Sequence, residues 1–263
     1  MEMKGNPFDS GVAVENAGLC FIERGKLTAF NSAVASRKAF AAEAHERFRE
    51  FVMRPGFSCI GAKAAFHDDA YGLAVYDEMG TDESTAGLCR DLCHFSQAGI
   101  TLRSEYSTFV AIFHSPIGVT ETEFEARLWL QLQKLHRADA KHFDWDRKVS
   151  SDPADPQFSF SFAGQAFYVI GMHANSSRQA RRFSWPALVF NPHEQFERLR
   201  TDGKWKRMQK TIRAREIALQ GSVNPMLSDF GEQSEARQYS GRAVSDDWTP
   251  PSGNAGQKCP FAH

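Results

Sequence analysis

The chain has no apolar run of about 18 residues, so no segment reads as a membrane-crossing helix. Neither charge sign is in excess. Thirty-one basic and 32 acidic residues leave a net charge of −1, which argues against a broadly basic surface for nucleic acid or anionic membrane. Several catalytic signatures are missing. Without Gly-x-Gly-x-x-Gly, a Walker phosphate loop or a Gly-x-Ser-x-Gly elbow, nicotinamide, ATP and serine-nucleophile chemistry have no motif to rest on. Without His-Glu-x-x-His or Cys-x-x-Cys, neither does structural zinc. Cysteine is sparse and odd in number: Cys20, Cys59, Cys89, Cys93 and Cys259. Met1 to Phe8 lacks the apolar stretch of an export signal, so the expectation is free thiols in a reducing cytosol. Tyrosine is also scarce, 5 against 22 phenylalanines, so the aromatic area comes largely without a polar handle. That suits a greasy core or an apolar ligand pocket.

The 263 residues suffice for one core without disulfide or metal staples, and the whole chain, 1–263, reads as a single domain. Residues 1–35 show no clear period. Phe40, Ala44, Phe48 and Phe51 recur at helical spacing from Ser36 to Phe51, and Pro55-Gly56 stops that run. Ser58–Phe66 and Tyr71–Asp77 read as a hairpin turning at His67-Asp68-Asp69. A helix is expected over Ala86–Ser96, opened by Thr81-Asp82-Glu83-Ser84, and a buried strand over Tyr106–Phe113. The strongest helix is Glu121–Arg137, striped by Phe124, Leu128, Leu132 and Leu135. Phe158–Phe162 and Ala166–Met172 form a second expected hairpin, turning at Ala163-Gly164. Ala187–Phe190 is a short strand, Pro192 starts a helix, and Trp205–Leu219 is the last one. Residues 221–263 lose the pattern but keep Tyr239, Trp248 and Phe261, which suggests a tail wrapped over the domain. The fold class expected is α+β: a mainly antiparallel sheet with flanking helices and a long C-terminal wrapping tail.

Several side chains suit chemistry. Cys89 and Cys93 share a helix face, as two metal-seeking thiolates or as two small core residues. His136 lies beside an apolar stripe, as a core histidine or a ligand. His193, in Phe190-Asn191-Pro192-His193, stands where a buried strand gives way to a helix, a position that displays reactive groups. Cys259-Pro260 is a dipeptide able to present a thiolate to haem iron, while Cys59 is expected to open a strand. Arg178, Arg181 and Arg182 cluster in a basic loop, either as partners of carboxylates such as haem propionates or as a solvated face. Asp77-Glu78 ends a strand, where a carboxylate can grip a guanidinium or simply meet solvent.

Taken together, Pro55–Ala65, Tyr76-Asp77-Glu78-Met79-Gly80, Leu135–Asp139, Phe158–Phe162, Gly171-Met172-His173, Ser176-Ser177-Arg178 with Ala180-Arg181-Arg182-Phe183, and Phe190–Glu197 resemble the YqcI/YcgG family. Leu219–Leu227, Ser234–Arg242 and the closing Cys259-Pro260-Phe261 resemble its branch of haem-dependent guanidine N-hydroxylases, typified by pre-guanitoxin N-hydroxylase. The resemblance runs from about residue 35 to the end. It implies a cytoplasmic haem monooxygenase that uses O₂ and an external reductant or electron-donor protein to N-hydroxylate a small cationic guanidine or amine. In that reading Cys259, His193 or Cys59 is the axial ligand, with His136 and His173 as further contenders. Arg178, Arg181 and Arg182 meet the propionates, and Asp77 or Glu78 holds the substrate. The alternatives are a non-catalytic haem binder or sensor, and a cofactor-free interaction protein.

Overall fold

A computed structural model describes residues 5–9, 11–29, 37–98, 104–251 and 261. The elements run α1 (Gly11–Asn16), β1 (Cys20–Glu23), β2 (Lys26–Ala29), α2 (Lys38–Met53), α3 (Ile60–His67), β3 (Tyr71–Glu78), α4 (Asp82–Gln97), β4 (Thr108–Ser115), α5 (Glu121–Asp139), β5 (Phe160–Phe162), β6 (Gln165–Met172), β7 (Ala187–Pro192), α6 (His193–Thr201) and α7 (Trp205–Gln220). The strands form one sheet in the order β2-β1-β3-β4-β7-β6-β5. Every neighbouring pair is antiparallel except β3 and β4, which run parallel and are joined through α4. The fold is α+β with a mostly antiparallel sheet, as the element pattern predicts.

Both faces of the sheet are covered, which explains why the central strands read as unbroken apolar runs rather than alternating ones. On one face α4 and α5 bury Ala74, Tyr76, Phe109, Phe113, Val169 and Phe190. On the other, α2 and α3 cover Tyr71, Leu73, Val75, Val110, Ile112 and Val189. The α5 stripe Phe124, Leu128, Leu132 and Leu135 is fully buried. Its start is fixed by a capping box in which Thr120 and Glu123 satisfy each other's backbone N–H, with Glu121 and Glu123 placed where the helix dipole favours anions. Cys89 and Cys93 belong to this core, and burial pushes the Cys93 thiol up to about 12.

Two segments differ from the sequence expectation. Ser58–Phe66 is not a strand paired with β3: it contains α3, and Cys59 caps that helix instead of opening a strand. The alternation of Ile60, Ala62, Ala64 and Phe66 imitates a strand, but an alanine-rich run has high helix propensity and a polarisable side chain stands at its N-cap. Residues 11–29, expected to be irregular, form α1 and the β1–β2 hairpin, which docks antiparallel on β3.

After α7 the chain has no regular element through Pro251 apart from a 3₁₀ turn at Glu235–Gln238. It is nonetheless anchored. Tyr239 is fully buried against Trp129, and its carbonyl accepts the Gly171 N–H at 2.7 Å. Phe261 is buried among Trp129, Trp145, Phe158 and Phe160. Among the described residues, no helix is long and apolar enough to cross a membrane.

Candidate functional site

A cavity of about 200 Å³ lies on the α2–α3 face of the sheet. Tyr168, Ile170 and Met172 of β6 form its floor, the α2–α3 corner one wall, α6 and α7 the other, and residues 224–238 its cover. Local sequence explains each contribution. Gly56, at φ +76°, lets the chain reverse after α2 and deliver Cys59 to the start of α3. The Ala62 N–H donates to the Cys59 sulfur at 3.4 Å. Burial pushes this thiol up, against the pull of the backbone N–H groups of Ala62 and Gly61 and of nearby Arg181.

Pro192 ends β7 and directly precedes α6, so His193 enters the cavity wall as the first residue of that helix. Its Nε2 lies 3.2 Å from the Glu197 carboxylate one turn on. Its Nδ1 is buried and has no hydrogen-bond partner among the described residues. The Phe230 ring sits edge-on at 4.5 Å. Burial, the largest influence, lowers the imidazole pKa and favours the neutral ring.

Three arginines supply positive charge. Arg178 donates to the Ser222 carbonyl at 3.1 Å and lies 3.5 Å from Glu216. Arg181 donates to the carbonyls of Gly171, Tyr239 and Gln238, each at 3.1 Å, and so ties the cover to β6. Arg200 lies over the rings of Trp205 and Phe230 and pairs with Glu197.

Two carboxylates also line the cavity. Glu216 Oε2 accepts the Asn224 N–H at 3.0 Å. Glu235 Oε1 accepts both the Tyr239 hydroxyl at 2.6 Å and the Ser159 hydroxyl at 2.8 Å. Burial pushes Glu235 up to about 8. The hydroxyl of the half-buried Tyr168, also in the lining, donates to Gln238 Oε1 at 2.8 Å. It is pushed up to about 12 by burial, with further influence from Arg181, Glu235, Cys59 and Glu216.

Of the residues singled out from sequence, Cys59, His193, Arg178 and Arg181 thus share one cavity. Arg182 does not line it and instead donates to the Ser176 carbonyl at 2.9 Å. Asp77 and Glu78 lie at the end of β3, outside the cavity, half or more exposed and paired with Arg37 and Arg127. His136 packs against Trp145 and Phe261 in the α4–α5 layer, and His173 stacks on Phe124 at 4.4 Å; neither reaches the cavity. Cys259 lies outside the described residues. Sequence reasoning missed Glu216, Glu235, Tyr168 and Arg200. A signal for Glu216 was present, because Met208, Ile212 and Glu216 recur every four residues on α7 and put a carboxylate on an apolar stripe. Nothing in the sequence separated Glu235 from its polar neighbours.

The family model for the YqcI/YcgG family matches residues 48–262, more than three quarters of the chain. The chain belongs to the YqcI/YcgG family. Its matched region holds every residue that lines the cavity. No curated protein and no solved structure matches the chain.

The cavity of this family member has a donor set that fits a haem. A porphyrin brings its own nitrogen ligands and asks the protein for an axial atom, cations for its propionates and apolar walls. Cys59 and the unpartnered Nδ1 of His193 are the axial atoms on offer, Arg178 and Arg200 the cations, and Phe48, Phe57 and Phe196 are among the walls. Among the described residues, no three His, Cys, Asp or Glu side chains are grouped to hold a bare metal ion.

Proposed function

We propose that this protein is a haem-dependent monooxygenase that N-hydroxylates a guanidino compound or related amine. The observation that carries this reading is the convergence of Cys59, His193, Arg178 and Arg181 on one cavity from distant parts of the chain. A bound haem supplies an iron centre that activates O₂. In the balance, one oxygen atom converts the substrate N–H to N–OH. The other leaves as water, with two protons and two electrons drawn from an external reductant or an electron-donor protein.

The chain's own residues do the rest. Cys59 offers its sulfur at a helix N-terminus, where the Ala62 N–H and the helix dipole stabilise negative charge. His193, oriented by Glu197, offers Nδ1. Arg178, beside Glu216, and Arg200, beside Glu197, would supply the cations for the propionates, and Arg181 holds the cover in place through three carbonyls. The reading places the protein in the reducing cytosol, where Cys59 would remain a free thiol able to hold iron.

The test is the visible spectrum of the purified protein, oxidised, reduced, and reduced with carbon monoxide, followed by turnover with O₂ and a reductant. A Soret band and an N-hydroxyguanidine product are expected. A Soret band without product points to a haem sensor, and no band after haem is supplied points to a cofactor-free interaction protein. Either result overturns the enzyme reading.

A further inference from the structure

The proposed substrate is a cation, yet Asp77 and Glu78 lie outside the cavity. The cavity holds its own carboxylates, and each is anchored through one oxygen only. Glu216 engages Asn224 and Arg178 through Oε2. Glu235, 5% exposed, takes both hydroxyls on Oε1. Glu216 Oε1 and Glu235 Oε2 have no hydrogen-bond partner among the described residues, and both side chains line the same space. Two further polar atoms of the lining are unpartnered, Nδ1 of His193 and Oγ of Ser228. Polar atoms left open around a cavity, of which His193 Nδ1 and Ser228 Oγ are fully buried, are what a ligand satisfies. Phe196 adds an aromatic ring to the lining, while the rings of Trp205 and Phe230 already carry Arg200.

We infer that Glu216 and Glu235 form the receptor for the cationic head of the substrate, a guanidinium gripped by the two open carboxylate oxygens. This rests on the functional reading above and assigns its substrate-binding residues. The two acids divide the work. Glu216 is tethered at the end of α7 beside Arg178, whose charge it offsets. Glu235 is the one able to change charge. The hydroxyls of Tyr239 and Ser159 both donate to Oε1, so a proton on this acid sits on Oε2, toward the cavity. The other groups around it are Tyr168 with its partner Gln238, Arg181, and Arg200 across the cavity on α6. Of these, Arg181 and Arg200 already have partners of their own. An arriving guanidinium therefore displaces the Oε2 proton to solvent and pairs with the carboxylate it leaves.

The experiment is isothermal titration calorimetry of the haem-loaded and haem-free protein with L-arginine, agmatine and methylguanidine, and with citrulline as the uncharged control. Repeating it in buffers of different ionisation enthalpy counts protons. The expected result is that at least one of the three guanidines binds with release of about one proton near pH 7 and almost none near pH 9. Citrulline does not bind, and Glu235→Gln and Glu216→Gln each weaken binding by about tenfold or more. The Soret band and thermal unfolding of the variants check that folding and the haem site are intact, and Glu235→Asp is expected to restore part of the affinity. Three results would overturn the inference: binding unchanged in both variants, citrulline binding as well as arginine, or no guanidine binding at millimolar concentration. A missing Soret band with guanidine binding intact sinks the haem reading and leaves the receptor standing. Haem turnover that ignores both variants does the reverse.

Discussion

The Cys59 sulfur accepts the backbone N–H of Ala62 at 3.4 Å, so this side chain is at once a helix cap and a thiol facing the cavity. The two roles separate by substitution. Serine is the better cap, so Cys59→Ser should unfold at the same denaturant concentration as the wild type or slightly higher, whereas Cys59→Ala should lose about 0.5–2 kcal/mol. If the sulfur ligates iron, both variants should move the ferrous–carbon monoxide band from about 450 nm to about 420 nm, or lose haem altogether. If the band stays in both and moves instead in Cys259→Ala or His193→Gln, the axial role passes to that residue.

Glu235 ties stability to pH. Its acid is pushed up to about 8 in the folded chain from an ordinary 4.5, so the folded state binds the extra proton. The stabilisation is fully present below about 4.5 and is lost as pH rises through about 8, a change on the order of a few kcal/mol. Asp91 and Asp139, each pushed up to about 7 by burial, tilt the curve the same way. The pKa values of His45, His94, His173 and His193, each lowered chiefly by desolvation, oppose them, costing stability as pH falls below about 6.5. Glu235→Gln should flatten the alkaline limb. Melting temperatures between pH 5 and 9 check this, and parallel curves for variant and wild type would count against it.

Much of the fold was legible because long elements carry clear periods. The α5 stripe, the β5–β6 hairpin and the α6–α7 break at Gly203 all lie where residue spacing places them. The failures have physical causes. Six- and four-residue elements such as α1, β1 and β2 are too short to show a period. In α3, small alanines obscure which residues face the core. The parallel β3–β4 pairing depends on where α4 carries the chain, which no local pattern records. For the site, residue chemistry singled out Cys59, His193, Arg178 and Arg181. Glu235 escaped because its importance comes from Ser159 and Tyr239, and from a burial that only tertiary contacts create.

Asp77 and Glu78 should be nearly silent. They are 73% and 50% exposed in their side chains and paired with arginines at the surface, where such pairs are worth about 0–1 kcal/mol. Asp77→Asn and Glu78→Gln are expected to leave the Soret band and guanidine affinity within about twofold of wild type. A loss of affinity approaching that of Glu235→Gln would return the substrate to the end of β3.

Gly171 couples the sheet to the cover of the cavity. A Cβ there would stand 2.6 Å from Leu128 Cδ1, 2.7 Å from Phe124 Cε1 and 2.9 Å from the Tyr239 carbonyl oxygen. The two rigid α5 side chains and a main-chain oxygen leave little room to yield. The same Tyr239 carbonyl accepts the Gly171 N–H and an Arg181 N–H, so pushing it away strains both bonds. Gly171→Ala is therefore expected to cost about 1–3 kcal/mol in denaturant unfolding. Because Arg181 and Glu235 lie in the strained region, haem or guanidine binding should weaken beyond what the loss of stability alone explains. Gly118→Ala is the comparison for stability: its added Cβ meets nothing within 4 Å, and its only expense is the positive φ of +79°. If the two variants unfold alike and bind alike, close packing at Gly171 does not hold the cover in place.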